Sequence, residues 1–465
     1  MKLHYYSHAS FQIITDAGFR LLSDPWVYNP VSNTLWQFPE CRIRKPEYTD
    51  QDALYISHSH SDHFCPDTLR HFRRDIPIVI RQYGDHDNPL RPILRQMGFT
   101  QLIELEHLQT CELAPGLVVT LYADLDTYDS SLVIEADGAT VFHQNDCMLD
   151  PEDASMIGER HNLDVALLGL VNSSIYPTFF DMDPARKAVE TDRRRIKVLA
   201  RTADFARRLN ARYVIPNASD MVYVRFPETD SMLGPHATDM AAYFREHGLF
   251  SQVVTMSPGD VFDVANPHTD YQPAYASHEQ LLEQLAELRA RPHVQAMIDK
   301  LERWESEFVF DSRAFVRRLQ DYAQWATANW AALFAERFAE VEQPRYVVEL
   351  HLADTGLADL DLRIDVDYRA GRFQVSQLSA PGTDFDMRLS GRHRYFEMFR
   401  RGVFAFDDIR AGWLLIQRPG DFNKAEVGFW HLMMCYSNFI LQHPDGEDRL
   451  LPRPFAERVA KCLEE

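Results

Sequence analysis

Ala53-Leu54-Tyr55-Ile56-Ser57-His58-Ser59-His60-Ser61-Asp62-His63 is the stretch on which the reading of this chain turns. Its first four residues form a short apolar run, which predicts a buried strand. The strand runs straight into three histidines and an aspartate packed within six positions. Pro66-Asp67-Thr68 then predicts a helix that begins with proline in its first turn. A lone histidine is an ordinary core or surface residue, but a loop that crowds three imidazoles against a carboxylate has little structural use. Metal coordination offsets the crowding, because neutral imidazole nitrogens and carboxylates are good ligands for borderline divalent ions. His58, His60, Asp62 and His63 are therefore the first candidate ligands.

Outward from this loop, short β-type runs alternate with turns and helices. His4 to Ile14 alternates apolar and polar residues and reads as one strand, followed by a turn at Asp16-Ala17-Gly18 and a second strand at Phe19–Ser23, a hairpin. Further strands are predicted at Leu117–Tyr122, Ser131–Glu135, Thr140–Phe142, Val165–Leu170 and Arg212–Ile215. A helix over 185–209 carries Val189, Ile196, Leu199, Phe205 and Leu209. This alternation predicts an α/β sandwich over residues 1–265.

Residues 266–344 read as a helical linker opened by Pro267 and Pro273. Ser277 and Gln280 form a capping box, with Leu281, Leu285 and Leu288 on one helical face and a second helix over 312–338. Residues 345–465 read as a small α+β domain. Its strands are Tyr346–Leu352, Leu360–Val366 and Phe373–Leu378. A helix Ser390–Arg401 stopped by Gly402, a strand Trp413–Ile416 and an apolar segment Phe429–Met434 follow.

The 465 residues carry a net charge of −21, with 45% hydrophobic and 25% charged residues. That composition is globular, and the length favours two or three domains. A field of this sign repels phosphate backbones, so no nucleic-acid partner is expected. No stretch approaches the roughly 18 apolar residues of a membrane span, so no membrane partner is expected either. Six scattered cysteines without a CxxC pair read as reduced thiols, and Met1–Tyr6 lacks a basic-then-apolar leader, so the expected location is cytoplasmic. No two Cys-x-His pairs are present to hold a Rieske cluster.

With these residues in view, the sequence resembles the metallo-β-lactamase superfamily, and the fold this implies is an αββα sandwich. The resemblance makes His58 and His60 ligands of a first ion and Asp62 and His63 ligands of a second. Asp24, in Ser23-Asp24-Pro25-Trp26, matches the aspartate that orients the motif loop. Asp146, at the end of Gly138–Cys147, matches a carboxylate bridging both ions, which in two-metal sites lie about 3.5–4 Å apart. Where the superfamily places its third histidine, this chain has Tyr122–Ser131 without one. Asp124, Asp126 or Asp129 could substitute. Asp124 is preferred because it follows the strand directly, and Asp129 reads as a turn or cap residue. The last usual histidine is replaced by Asn217-Ala218-Ser219-Asp220, leaving Asn217 or the downstream His236 as candidates. His8, in Ser7-His8-Ala9-Ser10, lies near the same rim, as either a hydrogen-bonded structural histidine or a pocket residue. Carboxylates in place of imidazoles make a harder site, so two iron ions are expected, with zinc and manganese as alternatives.

Asp24-Pro25-Trp26, Asn145-Asp146-Cys147, Asn172–Pro177 and Pro216–Ser219 further resemble the branch containing CMP-N-acetylneuraminate hydroxylase. The same branch resembles diiron proteins of antibiotic biosynthesis: β-hydroxylases of carrier-bound amino acids, and acyl-CoA thioesterases of the platensimycin group. Residues 345–440, with Asp384–Gly391, resemble a sterol-carrier-type domain, which would hold an apolar chain. Without that resemblance the module reads as a lid or a dimerisation element, and the latter implies a homodimer. The resemblance implies hydrolysis of an acyl thioester such as an acyl-CoA, with hydroxide held between the ions as nucleophile and Asp62 and Asp146 as the catalytic carboxylates. The alternative is an oxygen-dependent diiron hydroxylase of a nucleotide-, CoA- or carrier-linked substrate. Arg193, Arg194, Arg195, Lys197 and Arg201 on one helix read as a CoA-phosphate site or as a solvated face.

Overall fold

The computed structural model describes residues 1–32, 34–83, 90–124, 128–171, 173–329, 345–354, 357–367, 369–401 and 412–419, and scattered positions between 432 and 443. The chain forms two compact units. The first comprises Met1–Gln82, Leu94–Ser174 and Pro184–Val294; the second comprises Tyr83–Ile93, Ile175–Asp183 and Gln295–Glu465.

Two seven-stranded sheets build the first unit. One runs, in spatial order, Val261–Asp263, Lys2–Ser7, Ser10–Ile14, Arg20–Ser23, Ala53–Ile56, Ile78–Arg81, Leu102–Leu105. The other runs Gln252–Val253, Tyr213–Asn217, Val165–Gly169, Ala139–His143, Ser130–Ala136, Leu117–Ala123, Thr110–Ala114. Strand alternation decides how they pack. Leu121, Leu132, Ile134, Val141, Val165, Leu167 and Ile215 meet Leu3, Phe11, Ile13, Leu21, Tyr55 and Val79 of the facing sheet in one buried core. The residues between them, Tyr122, Val133, Phe142, Ala166, Leu168 and Val214, point the other way and pack on the helices Pro151–Arg160, Pro184–Leu209 and Ala237–Glu246. This is the α/β sandwich expected from the alternation.

Several expected elements shift. The run His4–Ile14 is two strands, Lys2–Ser7 and Ser10–Ile14, because His8 adopts φ +53° and turns the chain back on itself. The helix Pro184–Leu209 buries Thr191, Val198, Thr202, Phe205, Ala206 and Leu209, a stripe at helical spacing, so Val189 and Ile196 face outward. Ser277 Oγ caps the helix His278–Ala290 by accepting from Gln280 N–H (3.2 Å), and Leu281, Leu285 and Leu288 are buried as expected.

The second unit contains the helix Pro292–Glu305 from Gln295 onward, the helix Ser312–Ala328 and a five-stranded sheet. Its order is Arg372–Leu378, Leu360–Asp367, Arg345–Leu352, Met387–Gly391, Leu415–Gln417. The expected helix from Ser390 is corrected: Met387 and Leu389 alternate inward on a strand paired with Val348–Leu352, and the helix covers only His393–Arg400. Residues 330–338 of the expected second linker helix, Gly402, and Phe429–Met434 apart from Leu432 lie outside the described residues.

Candidate metal centre

Sheet register assembles the site. Arg20–Ser23 and Ala53–Ile56 are parallel neighbours with Ser23 opposite Tyr55, so Asp24 and Ser57 leave the sheet side by side. Asp24 N–H donates to Tyr55 O (2.8 Å). In the facing sheet, Ala139–His143, Val165–Gly169 and Tyr213–Asn217 are parallel, so the turn bearing Asp146 and the residue Asn217 emerge at one end. Four non-glycine residues at these ends are left-handed: His8 (φ +53°), Asp24 (+38°), Asn145 (+56°) and Ala218 (+50°). Such strain costs about 1–3 kcal/mol per residue and concentrates at functional sites.

Asp24 is fully buried and saturated. Its Oδ1 accepts Ser57 N–H (2.8 Å), and its Oδ2 accepts Ser57 Oγ–H (2.7 Å) and the Nδ1–H of His63 (2.8 Å). Because the Ser57 hydroxyl donates to Asp24, it accepts at its oxygen from His58 Nδ1–H (2.9 Å). The network thus assigns both imidazoles the Nδ1–H tautomer and leaves each Nε2 lone pair directed away from the anchor.

Those lone pairs converge with other donors. His58 Nε2 lies 2.7 Å from His60 Nδ1 and 4.0 Å from Asp129 Oδ1. His63 Nε2 lies 3.6 Å from Asp146 Oδ2 and 3.7 Å from Asp62 Oδ2, and His8 Nε2 lies 3.2 Å from the same Asp62 oxygen. His58, His63 and Asp146 form one group and His8, Asp62 and His63 another, the donor atoms within each lying within 4.8 Å of one another. Two donors on one ion at about 2.1 Å stand about 3.0–3.4 Å apart when their bonds diverge by 90–110°, close to the spacings found. The buried His63 Nε2 and Asp146 Oδ1 have no hydrogen-bond partner. Buried polar atoms of this kind are rarely left unmatched, so the residues present fit a cation.

The electrostatics agree. Burial disfavours a charged His63, yet the carboxylates of Asp62, Asp146 and Asp24 outweigh it and push its pKa well above the ordinary value. Burial, reinforced by His63 and His60, holds His58 well below. Asp62 is lowered despite its burial, by His63 and His8. Burial pushes Asp129 up to about 6, with Asp146 and Asp124 adding to the rise against His60 and His63. The carboxylates make the pocket one that attracts positive charge.

Asp124 offers its backbone carbonyl to Arg81 (2.7 Å) and its N–H to Asp129 O (3.3 Å), and Arg81 also donates to Asp129 O (3.1 Å), clamping the loop at both ends. Asp129, which reads in the sequence as a turn or cap residue, places its carboxylate 4.0 Å from His58 Nε2. No local signal separates the two aspartates. Asp126 lies outside the described residues. Asn217 is fully buried, and neither its Oδ1 nor its Nδ2 has a hydrogen-bond partner. His236 is not brought to the cluster. It is the N-cap residue of the helix Ala237–Glu246, its Nδ1 lies 3.0 Å from Asp239 Oδ2, and its ring stacks on His278. The basic run on Pro184–Leu209 is largely committed to structure: Arg194 donates to Val171 O (2.6 Å), Arg195 to Leu233 O (2.8 Å), and Arg193 pairs with Glu190.

Comparison with known proteins gives a consistent frame. A model described as a β-lactamase superfamily domain matches residues 2–218. A protein from Mycolicibacterium smegmatis named for a Rieske 2Fe-2S iron-sulfur centre is 29% identical over 262 residues, covering 54% of this chain and 49% of its own. The chain therefore spans about half the length of that relative. A UPF0173 metal-dependent hydrolase from Pyrobaculum arsenaticum is 30% identical over 180 residues, covering 38% of this chain and 73% of its own. Among solved structures, the metallo hydrolase Igni18 from Ignicoccus hospitalis is 23% identical with a TM-score of 0.41, covering 56% of this chain and 98% of its own. Among the described residues, no helix is long and apolar enough to cross a membrane.

Proposed function

The chain belongs to the β-lactamase superfamily, and from that premise we propose that it is a dinuclear metal hydrolase acting on an acyl thioester such as an acyl-CoA. The observation that carries the reading is the pair of donor groups meeting at His63, with buried Nε2 and Oδ1 atoms left unmatched. One ion would be held by His58 Nε2 and His60 Nδ1 with Asp146 and Asp129, and the second by Asp62 and His63, with Asp146 shared. Ions held there would supply Lewis acidity toward a carbonyl oxygen and would make water acidic enough to attack near neutral pH. The protein's own groups do the positioning. Asp24 and Ser57 fix the tautomers of His63 and His58. Asp62, kept ionised by His63 and His8, accepts a hydrogen bond from the attacking water and orients it. Asp146, the other catalytic carboxylate, would take its proton. The thioester rests on the sequence resemblance, and the bond is apt because a thiolate leaves without needing a proton from the enzyme.

The test is acyl-CoA hydrolysis by purified protein loaded with iron, zinc or manganese under anaerobic conditions. Free thiol released in step with metal loading supports the reading; an absolute oxygen requirement sinks it. A second reading, an oxygen-dependent diiron hydroxylase, draws on Asp129, Asp146 and Asp62, since an oxygen-rich donor set favours iron. Incorporation of labelled oxygen into product by the reduced protein favours it, and no turnover over a substrate panel excludes it.

A further inference from the structure

We infer that His8, far from the HxHxDH loop in sequence, is the third protein ligand of the second ion, and that this ion is the more loosely held of the two; the inference rests on the dinuclear reading above.

His8 sits in the left-handed region at the bend between Lys2–Ser7 and Ser10–Ile14, a conformation uncommon for any residue with a side chain. The bend is pinned to the segment after Tyr213–Asn217. Ala218 N–H donates to His8 O (3.2 Å), and the buried Asp220 carboxylate accepts the His8 backbone N–H. Asp220 is itself held by Tyr5 OH and Ser219 Oγ. Trp26 presses edge-on against the imidazole at 5.5 Å between centroids. The side chain is 2% exposed and delivers Nε2 to 3.2 Å from Asp62 Oδ2, with its ring 5.3 Å from that of His63.

His8 uses only Nε2, on the one carboxylate that also faces His63, and its buried Nδ1 has no hydrogen-bond partner. Two imidazoles and one carboxylate with mutually close donor atoms make a half-built coordination sphere. The donor count points the same way. His63 belongs to both groups but has one free nitrogen, so with His58, His60, Asp129 and Asp146 around one ion, the Asp62–His63 ion needs a further protein donor, and His8 is the one beside them. The second ion's weaker hold follows from the anchoring. His58 and His63 have Nδ1 fixed by Ser57 and Asp24, whereas His8 Nδ1 is unanchored, and loss of such an outer partner typically lowers metal affinity 10–100-fold.

Titration of the metal-stripped full chain with cobalt(II) tests this. Wild type should bind two equivalents in two steps separated by about 10–100-fold in affinity. His8→Gln should keep the first step and lose the second at concentrations that saturate wild type. Glutamine can still donate a hydrogen bond to Asp62, so if His8 merely orients that carboxylate, His8→Gln would bind two ions with unchanged affinity, and the inference fails while the dinuclear reading stands. Wild type binding no cobalt overturns both. Should His8→Gln fail to fold, the histidine rings shifted by paramagnetism in two-cobalt wild type decide: four rings support the inference, and three, from His58, His60 and His63 alone, overturn it.

Discussion

Replacing Asp24 with asparagine probes the site without touching a proposed ligand. Asp24 Oδ1 accepts Ser57 N–H, and asparagine's carbonyl can keep that bond. The change falls at Oδ2, which accepts both Ser57 Oγ–H and His63 Nδ1–H. An NH2 group there is a donor facing donors. The Ser57 hydroxyl can rotate and accept; a ring N–H cannot. His63 relieves the conflict by shedding its Nδ1 proton and keeping the one on Nε2, the atom directed at Asp62 and Asp146. Each binding event must then first return the ring to the other tautomer against the asparagine donor. The loss expected for such an orienting partner is 10–100-fold in affinity, about 1.4–2.7 kcal/mol. Competition against a calibrated chelator reads this directly, with circular dichroism confirming the fold. Weakening should fall on the ion held by His63, while a His58-bound ion changes less. Both affinities staying within twofold of wild type would refute the tautomer argument.

Asp146→Ala should remove most bound metal, measured by elemental analysis, because one carboxylate is proposed to serve both ions; unchanged content refutes the bridging role. His143 is fully buried between Phe11 and Tyr55, and burial, with His63 adding, pushes its pKa down to about 3. Its folded-state pKa lies below the unfolded value, so its stabilising effect is complete above pH 6.5 and lost as pH falls toward 3, reaching about 2 kcal/mol at pH 5. Urea unfolding with chelator present should therefore show wild type losing about 2 kcal/mol more than His143→Gln between pH 7.5 and pH 5; equal losses refute it. A Cβ on Gly169 would stand 2.8 Å from the Asn145 carbonyl oxygen, which is backbone and cannot swing away. Gly169→Ala should cost about 1–3 kcal/mol and lower Tm by several degrees in calorimetry, and an unchanged Tm would show that the turn carrying Asp146 shifts freely.

The sequence by itself determined the sandwich and the motif loop. Two-residue alternation in Leu117–Ala123, Ser130–Ala136 and Val165–Gly169 dictates one face toward the facing sheet and one toward helices, whatever the rest of the chain does. His58, His60, Asp62 and His63 were legible because all four lie on one loop of six residues, where local crowding is itself the signal. Where alternation met a backbone switch, as at the bend at His8 and the strand Met387–Gly391, the local pattern misled, because a left-handed residue or a sheet partner decides there. The remaining site residues are a tertiary matter. Asp24 reaches His63 through the parallel register of Ser23 with Tyr55, Asp129 reaches His58 because Arg81 clamps its loop, and His236 caps a helix instead. His8 arrives from the first hairpin because Ala218 and Asp220 hold its backbone. Residues that meet only after two sheets have packed leave no spacing in the sequence, since their distance is set by strand register and the end at which each strand stops.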